Sequence, residues 1–221
     1  MAGRTLVRLL TVTAVAALSI GTAAVAHAAP SAGTVITADL DGDHIDDTVS
    51  AAQTPEGGWQ LKADLSSGGT RTAPLPDDDG IGRVGLQAGD VNTDGRAEVI
   101  TPVYVGMNQN AYNLYVASGD TGATGLAPLR GQDGKPFQLL TGGYPHNATG
   151  FGCTDGQDGR KLYTINGAAH DGPGAPLYDG HRISHSVVNG IVTAVSDEPF
   201  KDVPGNDPIL KYDTATCAPT S

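Results

Sequence analysis

Two short stretches of the chain place oxygen-bearing side chains at positions 1, 3, 5 and 9 of a nine-residue loop. All four are carboxylates in residues 39–47, and residues 90–98 repeat the pattern at an offset of 51 residues, with Asn92 at position 3. Position 7 can offer its main-chain carbonyl in both stretches. The candidate ligands are Asp39, Asp41, Asp43, Ile45 (carbonyl) and Asp47 in the first stretch, and Asp90, Asn92, Asp94, Arg96 (carbonyl) and Glu98 in the second.

The ligand type in these stretches favours calcium. A tightly turning loop brings alternate side chains to a common centre, and hard oxygen ligands in this number suit Ca²⁺, whereas magnesium would keep more water and zinc would prefer His or Cys. Without a cation, the crowded carboxylates would repel one another at neutral pH. We therefore expect two structural calcium sites. Acidic, solvated β-turns are the alternative interpretation, because Asp, Asn and Gly are common turn formers.

The elements that must position these loops are predicted to be strands. High Gly and Pro content, short alternating apolar runs and frequent turn residues indicate an all-β chain. Asn189-Gly190 predicts a type I′ hairpin between two of the strands. The predicted strands cover residues 34–38, 48–52, 59–65, 83–88, 98–105, 112–117, 161–166, 182–188 and 191–195.

Internal self-similarity predicts about three four-stranded units within one domain, 29–221. Their approximate bounds are 34–80, 81–145 and 146–221. A third, degenerate loop at residues 152–160 aligns when Asp158 is set on Asp94, 64 residues earlier. Thr154, Gly156 and Leu162 then stand where ligands should be, so we expect no ion in this copy.

The quoted loops resemble those of FG-GAP or VCBS-type repeats. That resemblance implies an integrin-like β-propeller in which each loop joins the first two strands of a blade and holds a structural calcium. It further implies a binding or adhesion module. Position 6 of the family loop is usually a left-handed Gly; Gly95 fits, whereas His44 would cost about 1 kcal/mol of strain. Closed propellers use about four to eight blades, so three units imply a small or incomplete propeller that could self-associate.

The chain ends and the charge favour an exported protein. Arg4 and Arg8 precede an apolar segment that closes on an Ala-x-Ala cleavage pattern, which predicts a signal peptide over residues 1–28. The mature chain would carry 11 basic and 24 acidic residues, a formal charge of −13, which disfavours nucleic acid and anionic lipid as partners. No later apolar run is long enough to span a membrane. Cys153 and Cys217 should pair in an oxidising compartment.

Function is predicted only as a class. We expect a secreted, calcium-binding module that recognises or scaffolds an unidentified extracellular protein or carbohydrate and is not an enzyme. A lectin-like binder and a small secreted hydrolase using Asp or His residues near the third unit are the alternatives. His181 and His185, with Asp171 and Asp179, could supply a transition-metal site, but residues 182–188 read as a strand and we do not expect one.

Overall fold

The computed structural model describes residues 35–76, 85–117, 125–156, 159–172 and 175–217. The predicted signal peptide, the acidic run at 77–79 and Asp158 lie outside these ranges. Within them the chain forms strands and two short 3₁₀ segments and contains no α-helix, which confirms the all-β prediction. None of the helical segments in the described ranges is long and apolar enough to cross a membrane.

The first sheet is a four-stranded antiparallel meander in the order β1-β2-β3-β4. Its inward positions carry small and branched apolar residues such as Val49, Ala51 and Leu61, which alternate with exposed or half-buried positions as a one-sided sheet requires. The strand bounds are Val35–Ala38 (β1), Asp47–Gln53 (β2), Trp59–Asp64 (β3) and Thr70–Leu75 (β4).

The second sheet has ten strands and begins with a similar meander, in which β5, β6, β7 and β8 pair in sequence order. It then continues from β7 through β10 to four long strands. The bounds are Gln87–Gly89 (β5), Glu98–Val105 (β6), Gln109–Ala117 (β7), Leu126–Pro128 (β8), Arg130–Gly131 (β9), Gln138–Gly142 (β10), Asn147–Gly156 (β11), Gly159–His170 (β12), Leu177–Val188 (β13) and Ile191–Pro204 (β14).

The ten-stranded sheet curves back on itself at residues 126–131. β8 pairs with β7, and the next strand, β9, pairs in parallel with the start of β14. The Leu129 N–H donates to the Leu114 carbonyl at 2.8 Å, and the Arg130 N–H donates to the Gly190 carbonyl at 2.9 Å. One short segment therefore joins the two ends of the run from β7 to β14.

β6 and β7 lie between two hydrophobic cores because their alternate residues face opposite sides. Val99 and Tyr115 pack in the first core together with the inward residues of the four-stranded sheet. Ile100 and Leu114 pack in the second core, which Phe151, Leu139 and other residues of the curved sheet complete. This arrangement fixes the two acidic loops on neighbouring sheets that share a core.

The predicted disulfide between Cys153 and Cys217 is present, and it closes a separation of 64 residues. It holds the 3₁₀ segment Thr214–Cys217 against β11, where the Cys153 N–H donates to Thr216 Oγ1 at 2.8 Å. A Cβ at Gly89 would overlap the Cys217 carbonyl, so only glycine fits there. The bond thus fastens the C-terminal segment across both β11 and β5.

The strands of the described residues fall into three successive runs along the chain. Residues 35–75 and 87–128 each form a four-stranded meander. Residues 147–204 also supply four strands, but these are 10 to 14 residues long and continue the second sheet through β10. The described residues therefore form two sheets, of four and ten strands, and no closed propeller.

Candidate metal sites

The first acidic loop joins β1 to β2 and is curled by its own carboxylates. Asp39 accepts the N–H groups of Gly42 at 2.7 Å and His44 at 2.8 Å. Asp41 and Asp43 each accept the N–H two residues further on, at 3.3 and 2.8 Å. As a result, one carboxylate oxygen from each of these three aspartates lies within 4.8 Å of the others.

The second loop joins β5 to β6 and repeats this pattern bond for bond. Asp90 accepts the N–H groups of Thr93 at 2.6 Å and Gly95 at 3.2 Å. The Asn92 amide oxygen accepts from the Asp94 N–H at 3.1 Å, and the Asp94 carboxylate accepts from the Arg96 N–H at 2.9 Å. The two loops are therefore equivalent in geometry as well as in sequence.

Both loops use the left-handed backbone region at positions 4 and 6. In the first loop these are Gly42 (φ 81°) and His44 (φ 66°), and in the second they are Thr93 (φ 58°) and Gly95 (φ 83°). Each loop thus has glycine at one of the two positions and a side chain at the other. The left-handed conformation of His44 agrees with its predicted strain, whereas the matching demand on Thr93 was not anticipated.

The acidic residue at position 9 of each loop is buried and accepts a hydrogen bond from a main-chain N–H of the same loop. Asp47 is buried and accepts the Leu40 N–H at 2.8 Å, and its other oxygen accepts the Ser66 N–H at 2.8 Å. Glu98 is equally buried and accepts the Val91 N–H at 2.9 Å. Sequence reasoning placed both in the ligand sets. The structure gives them an additional role, because each satisfies a buried N–H seven residues earlier.

Glu98 is buried close to two other carboxylates, those of Asp90 and Asp94. Burial, with smaller contributions from the nearby charges of Asp94 and Asp90, raises the pKa of Glu98 to about 8, although the Val91 hydrogen bond opposes this. A positive charge beside these three groups would favour the ionised carboxylate. The donor set of the second loop is therefore chemically suited to a hard cation.

Two serines from the turn between β3 and β4 support the first loop. Ser66 Oγ donates to Asp43 Oδ2 at 2.7 Å, and Ser67 Oγ donates to Asp41 Oδ2. Each of these aspartates thus has one oxygen bound to a loop N–H and the other bound to a hydroxyl. Sequence reasoning did not identify these serines, because they lie 23 and 26 residues from their partners.

The third, degenerate copy forms a hairpin. Thr154 and Gly156 belong to β11 and pair with Lys161 and Gly159 of β12, while Leu162 is fully buried. Among the residues that the structure describes here, no three candidate ligands lie together. Asp155 instead pairs with Arg160, whose Nε donates to it at 2.7 Å.

Arg160 connects this hairpin to the second acidic loop. Its Nη1 donates to the Asp90 carbonyl at 3.1 Å, and its main-chain N–H donates to Thr93 Oγ1 at 3.3 Å. The guanidinium is almost completely buried. Nothing local in the sequence indicated this role, because the contact spans 70 residues.

His181, His185 and Asp179, considered from the sequence as metal ligands, have different partners in the structure. His185 is buried, with Nε2 2.9 Å from Thr164 Oγ1 and its ring 5.1 Å from that of Phe137. His181 is half-exposed and lies 2.7 Å from Asp197. His181 pairs with Pro199 and His185 with Ala194 of β14, with a register irregularity between Ser184 and His185. Asp179 lies instead beside His170.

A cleft of about 410 Å³ lies between the two acidic loops. It is bounded by polar side chains and by loop backbone, and its residues are Asp39, His44, Asp46, Asp90, Thr93, Gly95, Arg96 and Ala97. A second cavity of about 320 Å³ lies between the second loop and the β13–β14 hairpin, with Asp94 and Glu98 on one side and Val187 and Val188 on the other. Both recesses therefore border the candidate ligands.

No protein-family model, curated protein or solved structure matches this chain. The resemblance to FG-GAP and VCBS repeats therefore remains a prediction from the sequence, carried by the motifs at residues 39–47 and 90–98.

Proposed function

We propose that this chain is a secreted, calcium-binding repeat protein of FG-GAP/VCBS-like type that acts as an extracellular binding or scaffold module. The observation that carries the proposal is the equivalence of the two loops. Five side-chain to main-chain hydrogen bonds recur at matching positions, from the bond that Asp39 or Asp90 accepts to the one that Asp47 or Glu98 accepts. Ordinary acidic turns would not need the same constellation twice.

Calcium would be held mainly by alternate residues of each loop. Asp39, Asp41 and Asp43 supply three oxygens that already lie within 4.8 Å of one another. Asp90, Asn92 and Asp94 are their counterparts, and the carbonyls of Ile45 and Arg96 complete the candidate sets with Asp47 and Glu98. A bound calcium ion would neutralise these crowded carboxylates and so stabilise the curled loops.

The position of the loops supports a structural role for the ion. Each loop joins two strands whose inward residues enter the same core, so fixing the loop fixes the start of β2 or β6. In the proposed blade-like repeat, the meanders β1–β4 and β5–β8 are neighbouring units and the ions brace their edges. The cleft between the loops is then the candidate recognition surface, since it combines carboxylates with the His44 and Arg96 side chains.

Titration calorimetry with CaCl₂ tests the ion sites directly. The purified, chelator-stripped protein should bind two calcium ions, and Asp41→Ala or Asp94→Ala should each remove one site. Asp133→Ala is the matched control, because Asp133 is an exposed carboxylate in a turn beside Lys135 and should leave both sites intact. Absence of calcium binding to the unmodified protein would overturn the proposal.

Export is the second testable part. If residues 1–28 are removed on secretion, intact mass spectrometry of the protein from the culture medium should give a chain that begins at Ala29. A secreted chain that retained residues 1–28 would contradict the proposed processing.

A further inference from the structure

A second type of candidate metal site lies away from the acidic loops, where three long strands of the curved sheet come together. His170 is the last residue of β12, Asp179 lies near the start of β13, and Asp202 lies near the end of β14. One ligand atom from each residue lies within 4.8 Å of the other two. We propose that His170, Asp179 and Asp202 form a binding site for zinc or a similar divalent transition-metal ion. This proposal does not depend on calcium binding by the loops.

The distances fit a small tetrahedral ion. His170 Nε2 lies 3.2 Å from Asp179 Oδ1 and 3.3 Å from Asp202 Oδ1. Zinc binds nitrogen and oxygen ligands at about 2.0–2.2 Å, so the ligand atoms of a tetrahedral site lie about 3.3 Å apart. An imidazole with two carboxylates is a ligand set for zinc, whereas calcium would take oxygen ligands only. Three protein ligands would leave the fourth position for water or another small ligand.

The other nitrogen of the His170 ring has the kind of hydrogen-bond partner that a metal-binding histidine requires. Nδ1 lies 3.3 Å from the Asp171 main-chain carbonyl, which can only accept a hydrogen bond, so this contact places a proton on Nδ1. Metal-binding histidines usually hold the non-ligating nitrogen in this way. Nε2 then faces both carboxylates. A proton on Nε2 could make a well-directed hydrogen bond to only one of the two carboxylate oxygens. A metal ion, in contrast, accepts electron pairs from the nitrogen and from both oxygens.

The carboxylates are also oriented by the backbone. The Asp202 N–H donates to Asp179 Oδ1 at 2.7 Å, and Asp202 adopts a left-handed conformation with φ of 54°. All three side chains are partly exposed, which leaves an entry path for an ion from solvent.

The competing explanation is a protonated His170 that pairs with two aspartates, and the chain contains a matched control for it. His181 Nδ1 lies 2.7 Å from Asp197 further along the same two strands, β13 and β14, and forms the same kind of pair with a single carboxylate. Asp202→Asn is the second variant. Asn tolerates the left-handed backbone as well as Asp does, so this change removes the charge without disturbing the chain.

Zinc titration in saturating CaCl₂ tests the proposal, because calcium then occupies any oxygen sites in the loops. The unmodified protein should bind one zinc ion. His170→Ala and Asp202→Asn should each raise the Kd at least about tenfold, while His181→Ala should leave it unchanged. Co²⁺ in place of zinc should give the visible absorption of a tetrahedral site, and His170→Ala should abolish it. No zinc uptake by the unmodified protein, or an unchanged Kd in both His170→Ala and Asp202→Asn, would overturn the assignment.

Discussion

The Asp39 main-chain carbonyl accepts a hydrogen bond from the Ala97 N–H at 2.7 Å, so the first residue of one acidic loop is bonded directly to the eighth position of the next. The corresponding carbonyl of the second loop, Asp90, accepts from Arg160 in the following hairpin. The two loops and the hairpin therefore form a row in which each member binds its successor.

His44→Gly should stabilise the protein by about 1 kcal/mol. His44 occupies a left-handed backbone conformation that costs a side chain roughly this amount, and its ring is 88 % exposed, so little packing is lost. Urea unfolding in the presence of chelator measures the effect.

One control for this change is a substitution in the second loop, and the other is a different substitution at His44. Gly95 occupies the same position with φ of 83° and no atom near its hypothetical Cβ, so Gly95→Ala should destabilise by about 1 kcal/mol through backbone strain alone. His44→Ala should give no gain. A stabilising Gly95→Ala change would show that the backbone argument is wrong.

Asp47→Ala should destabilise the protein even when calcium is absent. The change removes the acceptor for the Leu40 and Ser66 N–H groups, and an unsatisfied buried donor costs about 1–3 kcal/mol. Asp47→Asn should cost less, because it keeps one acceptor oxygen.

Asp41→Ala is the comparison variant for Asp47. Asp41 accepts hydrogen bonds from the Asp43 N–H and the Ser67 hydroxyl in the exposed part of the loop. Asp41→Ala should therefore lower the free energy of unfolding only slightly in chelator and considerably more in calcium. Equal losses for Asp41→Ala and Asp47→Ala in chelator would contradict the separate roles given to positions 3 and 9.

His185 should make the protein less stable as the pH drops from about 7 to 5.5, whereas the raised pKa of Glu98 acts in the opposite direction. Burial lowers the pKa of His185 below 6.5, so the folded state favours the neutral ring. The unfolded chain therefore takes up a proton first, and stability is lost as the pH falls below the unfolded pKa, by at most about 1.4 kcal/mol per pH unit.

Unfolding free energies at several pH values measure this dependence. His185→Gln keeps a hydrogen-bonding group for Thr164 but does not titrate, so this variant should lose less stability than the unmodified protein as the pH falls. An equal pH dependence in the two proteins would contradict the role given to His185.

The sequence predicted the local features best. The strand at 98–105 has the predicted bounds, and Asn189 and Gly190 both take the positive φ of the predicted hairpin turn, at 52° and 75°. The Cys153–Cys217 bond was also predicted, because two thiols in a chain predicted to be exported leave few alternatives. These features depend on alternation, turn chemistry and compartment, which a single sequence displays directly.

The features that depend on distant pairing were not predictable. The short strands β8, β9 and β10 carry no clear alternation, yet they close the curved sheet. The His170 cluster draws on β12, β13 and β14, and a bulge in β13 shifts its register relative to β14 near Asp179. Neither the closure of the curved sheet nor the His170 cluster could be predicted from sequence spacing, because strand register and curvature decide which side chains meet.

The measurement that tests the central claim most directly is thermal unfolding with calcium and with excess chelator. Native-state binding stabilises by about 2.7 kcal/mol per site at a calcium concentration of 100 times Kd, so chelation should lower the Tm by several degrees. Asp41→Ala and Asp94→Ala should each remove part of the shift, and the double variant nearly all of it, while Asp133→Ala should retain it. If excess chelator leaves the Tm of the unmodified protein unchanged, the two loops are acidic turns and the account of calcium bracing is wrong.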